Sequence, residues 1–227
     1  MDQARDHVSV GEAARALGVS DRRVRALIHD GALPAQQVGG RWLVNRASVQ
    51  QRARRRGRPG RPLGERNAWA LLARLSGAGW PELSPWDRSR LKQRLAKRSL
   101  LSLADDLRDR AEPQLFRGDE RLLERLRDDP AIVLSGVNAA VEYGVDIRAP
   151  GVVEAYVNRD RVRDLVYRFA LRPAEIADAN VVLRVVEEAV PQAKPRVAPI
   201  AAVALDLLES SDDRSRRAGR ELARRLR

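Results

Sequence analysis

The chain has no cysteine, only two histidines and one methionine, and aromatic residues make up just 4% of its 227 positions. Without cysteine, disulfides and thiolate-held zinc are excluded. His7 and His29 alone cannot build a histidine-based metal cluster, so no metal and no cofactor are expected. There is no run of 18 apolar residues and no apolar signal region at the N-terminus, so no membrane partner is expected and the protein should be cytoplasmic. Catalytic signatures are also missing: no P-loop, no G-x-S-x-G, no H-E-x-x-H and no Asp-x-Asp. The acidic doublets Asp105-Asp106, Asp128-Asp129 and Asp212-Asp213 lie where helix ends are expected, and capping accounts for them. The expectation is that this is not an enzyme. A nucleotidyltransferase-like enzyme is the remote alternative, with Leu134-Ser135-Gly136 as its faint start.

What the chain does have is arginine. Forty arginines stand beside three lysines, and net charge is +12 with a pI near 11.2. A polyanion is the natural partner for such a chain, although so lopsided a preference also fits a GC-rich genome. Distribution is the better guide. Residues 1–66 carry a net charge of +8 and residues 67–227 only +4.

The positive end holds the most informative pattern. Ser9 with Glu12 forms an S-x-x-E capping box, and Val10, Ala13, Ala14 and Leu17 then follow at helical spacing. Gly18 ends that helix with the left-handed backbone a tight turn needs. Ser20 caps a second helix with Val24, Leu27 and Ile28 inward and Arg22, Arg23, Arg25 and His29 outward; Gly31 and Pro34 end it. Two short helices across a Gly turn, the second basic outside, make a helix-turn-helix. Gln37-Val38 and Arg41 to Val44 flank Gly39-Gly40 as a hairpin would, which gives a wing with Arg41 at its tip.

Together, Glu12-Ala13-Ala14, Leu17 to Ser20, Val24-Arg25, Leu27-Ile28, Leu33-Pro34-Ala35, Gly39-Gly40 and Trp42 resemble the excisionase and MerR-like family of small winged helix-turn-helix domains. The resemblance implies binding to double-stranded DNA. The expected contacts are Ser20, Arg22, Arg23, Arg25, His29 and Arg41. Asn45 or Ser48 would start a third short helix through Val49.

Beyond residue 52 comes Arg-Gly-Pro-rich chain, expected to be an extended linker over 53–64. Its Arg54, Arg55, Arg56, Arg58 and Arg61 join the expected DNA contacts, and the Arg-Gly-Arg-Pro core resembles an AT-hook. Three roles stay open for it: insertion into a narrow minor groove, where potential is most negative, nonspecific phosphate contact, or a solvated tether.

Residues 65–129 read as helical: one helix through Trp69 to Leu75, one opened by Ser84-Pro85, and two more over Leu100 to Leu107 and Leu122 to Leu126. Trp80 and Trp86 are expected to pack between them. The basic cluster Arg88, Arg90, Lys92, Arg94, Lys97 and Arg98 fits DNA contact or a solvated face equally. From residue 130 the pattern turns mixed α/β, with strand-like runs over 152–157 and 181–186 and helical spacing from Arg159 to Phe169. Pro199 to Leu208 reads as an apolar helix and Ser211 as the start of a last, arginine-rich one. The expected fold class is mainly α with small β elements (α+β): a winged domain over 1–52, the linker, a helical middle and an α/β domain over 130–227.

This last region resembles the AbiEi family, antitoxins of type IV toxin–antitoxin systems. The resemblance is carried by Leu134-Ser135-Gly136, Ala139-Ala140 and Tyr143-Gly144, then Val153-Glu154 and Tyr156-Val157. It continues through Asn180 to Arg184, Val197-Ala198-Pro199, Asp206-Leu207-Leu208, Ser210, Asp212 and Arg214. It implies a repressor of its own operator whose C-terminal domain counteracts a nucleotidyltransferase-like toxin, a functional rather than necessarily physical partner. The alternative is an excisionase-like or architectural DNA-binding factor, although some 160 residues beyond the winged domain exceed what such factors usually carry.

Overall fold

The first eleven described residues form a strand and a helix wound around one capping box, and they set the pattern for the N-terminal unit. The structure, a computed structural model, describes residues 7–29, 33–46, 48–49, 62–190 and 192–226. The chain divides into two units, residues 1–60 and 61–227, each α+β.

In the first unit β1 (His7–Ser9) leads into α1 (Val10–Leu17) and α2 (Asp21–His29), followed by β2 (Ala35–Val38) and β3 (Arg41–Asn45). The strands form an antiparallel sheet in the order β1-β3-β2, with Val8 opposite Val44 and Gln37 opposite Trp42. β1 was not expected. At three residues it is too short to show alternation. The core of the unit is Val8, Val10, Ala13, Ala14, Leu17, Val24, Leu27, Leu33, Val44 and Val49, which are the apolar positions whose spacing predicted the two helices, extended by the strand and wing residues. Arg46, Ser48 and Val49 are helical, and the Ser48 amide donates to Asn45 Oδ1 at 3.0 Å, so Asn45 is the cap.

The second unit has a mixed five-stranded sheet with helices on both faces. Its elements are α3 (Glu65–Leu75), α4 (Pro85–Lys97), α5 (Leu100–Leu103), which runs into a 3-10 turn Ala104–Arg110, then β4 (Glu112–Arg117), α6 (Glu120–Arg127) and β5 (Ile132–Leu134). They continue through α7 (Gly136–Ala139), β6 (Val153–Asn158), α8 (Arg159–Arg168), β7 (Arg172–Pro173), β8 (Val181–Val186), α9 (Ile200–Glu209) and α10 (Asp213–Arg225). The sheet order is β5-β6-β8-β4-β7, with β6 and β8 parallel across the α8 crossover. Alternation divides the sheet cleanly. Val153, Ala155, Val157, Val181, Leu183 and Val185 face α6 and α8, while Tyr156 and Val186 face the helical core of α3, α9 and α10.

Two expectations for the middle of the chain fail. Glu112–Arg117, inside the stretch expected to be helical, is a strand paired antiparallel with β8. Its polar, proline-containing sequence shows no apolar alternation, and pairing decides its conformation. Trp80 does pack against the core, but Trp86 is 67% exposed. It is the second residue of α4, whose inward positions are taken by Leu91 and Leu95. Ser84 caps that helix as expected, accepting from the Asp87 amide at 3.0 Å, with Pro85 at the first position. The last helix is capped one residue later than expected, by Asp212, which accepts from the Ser215 amide at 2.7 Å.

Candidate nucleic-acid interface

The helix pair is fixed by its caps. The Ser9 amide donates to Glu12 Oε2 at 2.8 Å and the Glu12 amide to Ser9 Oγ at 3.2 Å, closing the box. The Ser9 amide and the Ser9 hydroxyl, which also donates to Glu12 Oε2 at 2.8 Å, hold the Glu12 carboxyl below its usual range. Gly18 takes φ +58, a left-handed conformation that costs any side chain energy. The chain then turns directly into α2, where the Arg23 amide donates to Ser20 Oγ at 3.3 Å. Ser20 is therefore the cap the sequence predicted, and it is also exposed.

Burying Val24 and Leu27 against α1 fixes what α2 shows to solvent. Arg22, Arg23, Arg25 and His29 are all exposed. At 100° per residue, Arg22, Arg25 and His29 form one i, i+3, i+7 stripe opposite the buried positions, and Arg23 lies to one side. Among the described residues none of these three arginines is held in an ion pair. Asp21 in the first turn complements the helix dipole.

The wing follows. Gly39 (φ +55) and Gly40 (φ +77) supply the two left-handed residues of a type I′ turn. Arg41, opposite Val38 at the turn, is exposed as expected. Trp42 and Gln37 form the next pair, on the same side as buried Val44, and both are exposed. Neither is among the contacts expected from the sequence, although the Gly-Gly-x-Trp spacing marks this side of the wing. The expected contacts Arg54, Arg55, Arg56, Arg58 and Arg61 lie outside the described residues, as does Gly31.

The second unit contains a different polar feature. Asp206, with 0% of its surface exposed, collects four donors. Arg110 Nη2 donates to its Oδ1 at 2.5 Å, Tyr156 Oη donates to the same oxygen at 2.9 Å, and Arg184 Nε lies 2.9 Å from it. Ser135 Oγ donates to Oδ2. Arg110 also donates to both oxygens of Glu209, at 2.8 and 2.9 Å, and to Tyr156 Oη at 3.0 Å. Trp69 packs edge-on against Tyr156, and its Nε1 donates to the Arg110 carbonyl at 3.0 Å. Glu154 lies over Gly136 and accepts from the Val137 amide at 3.3 Å; enclosure pushes its carboxyl up, partly offset by Arg184. Among the described residues no group of histidine, cysteine or carboxylate side chains is placed to hold a metal ion.

Residues 8–57 match the family model described as a helix-turn-helix domain. No curated protein and no solved structure matches the chain. The N-terminal unit is thus a helix-turn-helix domain of the DNA-binding kind, excisionase-like, with a three-stranded wing sheet. Among the described residues no helix is long and apolar enough to cross a membrane.

Proposed function

We propose that the chain is a sequence-specific transcriptional regulator that acts in the cytoplasm on its own operator. The observation that carries this is the outward stripe Arg22, Arg25, His29 on a helix whose opposite side is locked into a helix-turn-helix core. Arginine suits guanine O6 and N7, and such a helix enters the major groove by its N-terminal part. Arg41 on the wing meets phosphate, and Arg54 to Arg61 supply further backbone or minor-groove contact. The role is binding rather than catalysis.

The same protein would serve as the antitoxin of a type IV pair. One feature supports that finer assignment: the scattered residues of the AbiEi resemblance converge. Ser135, Tyr156, Arg184 and Asp206 share one hydrogen-bonded centre, with Gly136 and Glu154 against it. Residues from four elements that build one centre behave as the signature of one domain.

Fluorescence anisotropy tests the regulator. The full chain is titrated into duplex DNA from upstream of its own reading frame and into a scrambled duplex, at about 150 mM salt, where nonspecific binding weakens to roughly 10⁻⁴–10⁻⁶ M. Nanomolar binding to the native fragment alone is expected. Equal, weak binding to both overturns sequence specificity and favours an architectural factor. For the antitoxin, a neighbouring frame carrying a nucleotidyltransferase motif is expressed alone and with this chain. Growth arrest that co-expression fails to relieve overturns that assignment.

A further inference from the structure

We infer that the second unit carries its own DNA-contacting face, the exposed half of α4 bordered by Trp86; this rests on the DNA-binding role proposed above and extends it beyond the winged domain. Trp86 is the observation that sets the face apart. It is 67% exposed, whereas Trp69 is buried and Trp80 partly so. Indole left in water forgoes the largest burial gain any side chain offers, and interfaces are where it is recovered.

The indole is not isolated. The Arg90 guanidinium stacks over it at 4.5 Å from the ring centroid and is paired to Asp87 at 3.3 Å, and Arg90 Nε is enclosed without a hydrogen-bond partner. From Trp86, helical spacing runs on through Arg90 and Gln93 to Lys97, one stripe about 16 Å long at 1.5 Å per residue. Gln93 and Lys97 are exposed along it, and Lys92 and Arg88, also exposed, lie about 120° and 160° round the helix from Trp86, toward the other border of its solvent side. Asp87 is the only acid on the helix. Arg94 and Arg98 are spent on Asp106 within the fold. Arg88, Lys92 and Lys97 have no carboxylate within ion-pair reach among the described residues. Arg88 and Lys92, one helical turn apart, repel each other until an anion joins them.

Charge complementarity selects a polyanion, and on the role proposed above that polyanion is duplex DNA. With the winged domain engaged, covalent linkage presents α4 to flanking duplex at a high effective concentration. Lys92, Lys97 and Arg88 then meet phosphates, and the indole edge with its stacked Arg90 packs on the sugar–phosphate backbone. Such contacts hold position without reading sequence.

Lysine scarcity makes the test selective. Lys92 and Lys97 are two of the three lysines in the chain, and the third, Lys194, is paired with Glu142 at 3.0 Å away from α4 in sequence. Full-length protein is acetylated with an amine-reactive reagent, free and in the presence of the duplex from upstream of its own reading frame at saturation by anisotropy. Labelling of Lys92 and Lys97 should fall several-fold while that of Lys194 holds. In parallel, Lys92→Gln with Lys97→Gln should lower the slope of log affinity against log salt by about 0.9 for every phosphate no longer neutralised. Trp86→Ser should weaken binding to native and scrambled duplexes alike with an unchanged melting temperature. Saturated binding that leaves all three lysines equally reactive, with an unchanged salt slope, overturns the α4 face and leaves the winged domain standing. Absence of any duplex binding, even at low salt, overturns both. Stronger protection by a single-stranded oligonucleotide, or by an acidic protein but not DNA, overturns the duplex assignment.

Discussion

Arg110 and Asp206 lie 96 residues apart in sequence and form a 2.5 Å ion pair with 2% and 0% of their side chains exposed. The pair ties the turn before β4 to the helix over the sheet. Buried pairs of this kind gain little over an apolar replacement of both partners, because desolvation offsets their attraction, but loss of one partner strands a charge. Asp206→Ala would leave Arg110 and Arg184 facing each other without their shared acceptor. It should destabilise the second unit by about 3–5 kcal/mol, measured as a shift in the urea midpoint. Arg110→Met with Asp206→Leu should cost less than Asp206→Ala alone; a cost equal to the sum of the two single changes would show that the pair does not act as a unit.

Glu154 gives stability an acid-side dependence. Its folded carboxyl is held above the ordinary value of 4.5 by burial, with Arg184 opposing and Asp206 and Glu209 reinforcing. For a carboxyl raised by folding, the favourable contribution is complete below the unfolded value and is lost as pH rises through the folded one. Acidification from neutrality toward pH 4.5 should therefore stabilise the second unit relative to a Glu154→Gln variant. Asp129 is held below 3.8 because its bonds from Arg168 and the Ala131 amide outweigh burial, and Asp212 because it accepts from Ser215. Their contributions are therefore lost only further into acid. Chemical denaturation of both proteins between pH 7 and pH 4.5 checks this, and parallel curves would show that Glu154 is not the group responsible.

Two glycines in helices should respond in opposite directions to the same substitution. A Cβ on Gly219 would lie 2.8 Å from both the Ala204 carbonyl oxygen and the Leu208 nitrogen, backbone atoms of α9 that cannot move aside. Gly219→Ala should cost about 1–3 kcal/mol through overpacking. Gly11 in α1 has nothing within 4 Å of such a Cβ and no positive φ. Gly11→Ala should add about 0.4–1 kcal/mol by reducing unfolded-state freedom. Thermal melts of the two variants decide it, and equal shifts would sink the close helix packing.

What could be read in the amino-acid order was local. The Ser9–Glu12 box, the Gly18 turn, the Ser20 cap and the Gly39-Gly40 hairpin are each set by residues within a few positions of one another, and all were legible. The α+β class followed from strong runs such as Val181–Val186. Glu112–Arg117 was not legible, because its strand state comes from pairing with β8 and not from its own polar sequence. Trp86 was misjudged because an aromatic residue near a helix start carries no mark of which side it faces. The Asp206 centre depends on contacts spanning 22 to 96 residues. Its residues stand out in the sequence only as scattered pieces of a family resemblance.

The division of labour on the winged domain can be separated by two kinds of variant. Arg22 and Arg25 share the outward stripe of α2 and Arg23 sits to its side, so the proposed major-groove docking of α2 assigns base reading to Arg22 and Arg25 and phosphate contact to Arg23. Arg22→Ala and Arg25→Ala should each weaken binding to the native operator by about 1–3 kcal/mol for each base the arginine reads, while binding to scrambled duplex changes little. Arg23→Ala, and replacement of Arg54, Arg55, Arg56, Arg58 and Arg61 by glutamine, should instead weaken binding to every duplex and flatten the salt dependence, by about 0.9 in slope for each phosphate left without its arginine. Competition anisotropy across a set of operator variants reads both effects together. If the 54–61 replacement altered sequence preference more than the α2 changes did, the major-groove role of α2 would fall and the arginine-rich segment would be the reader.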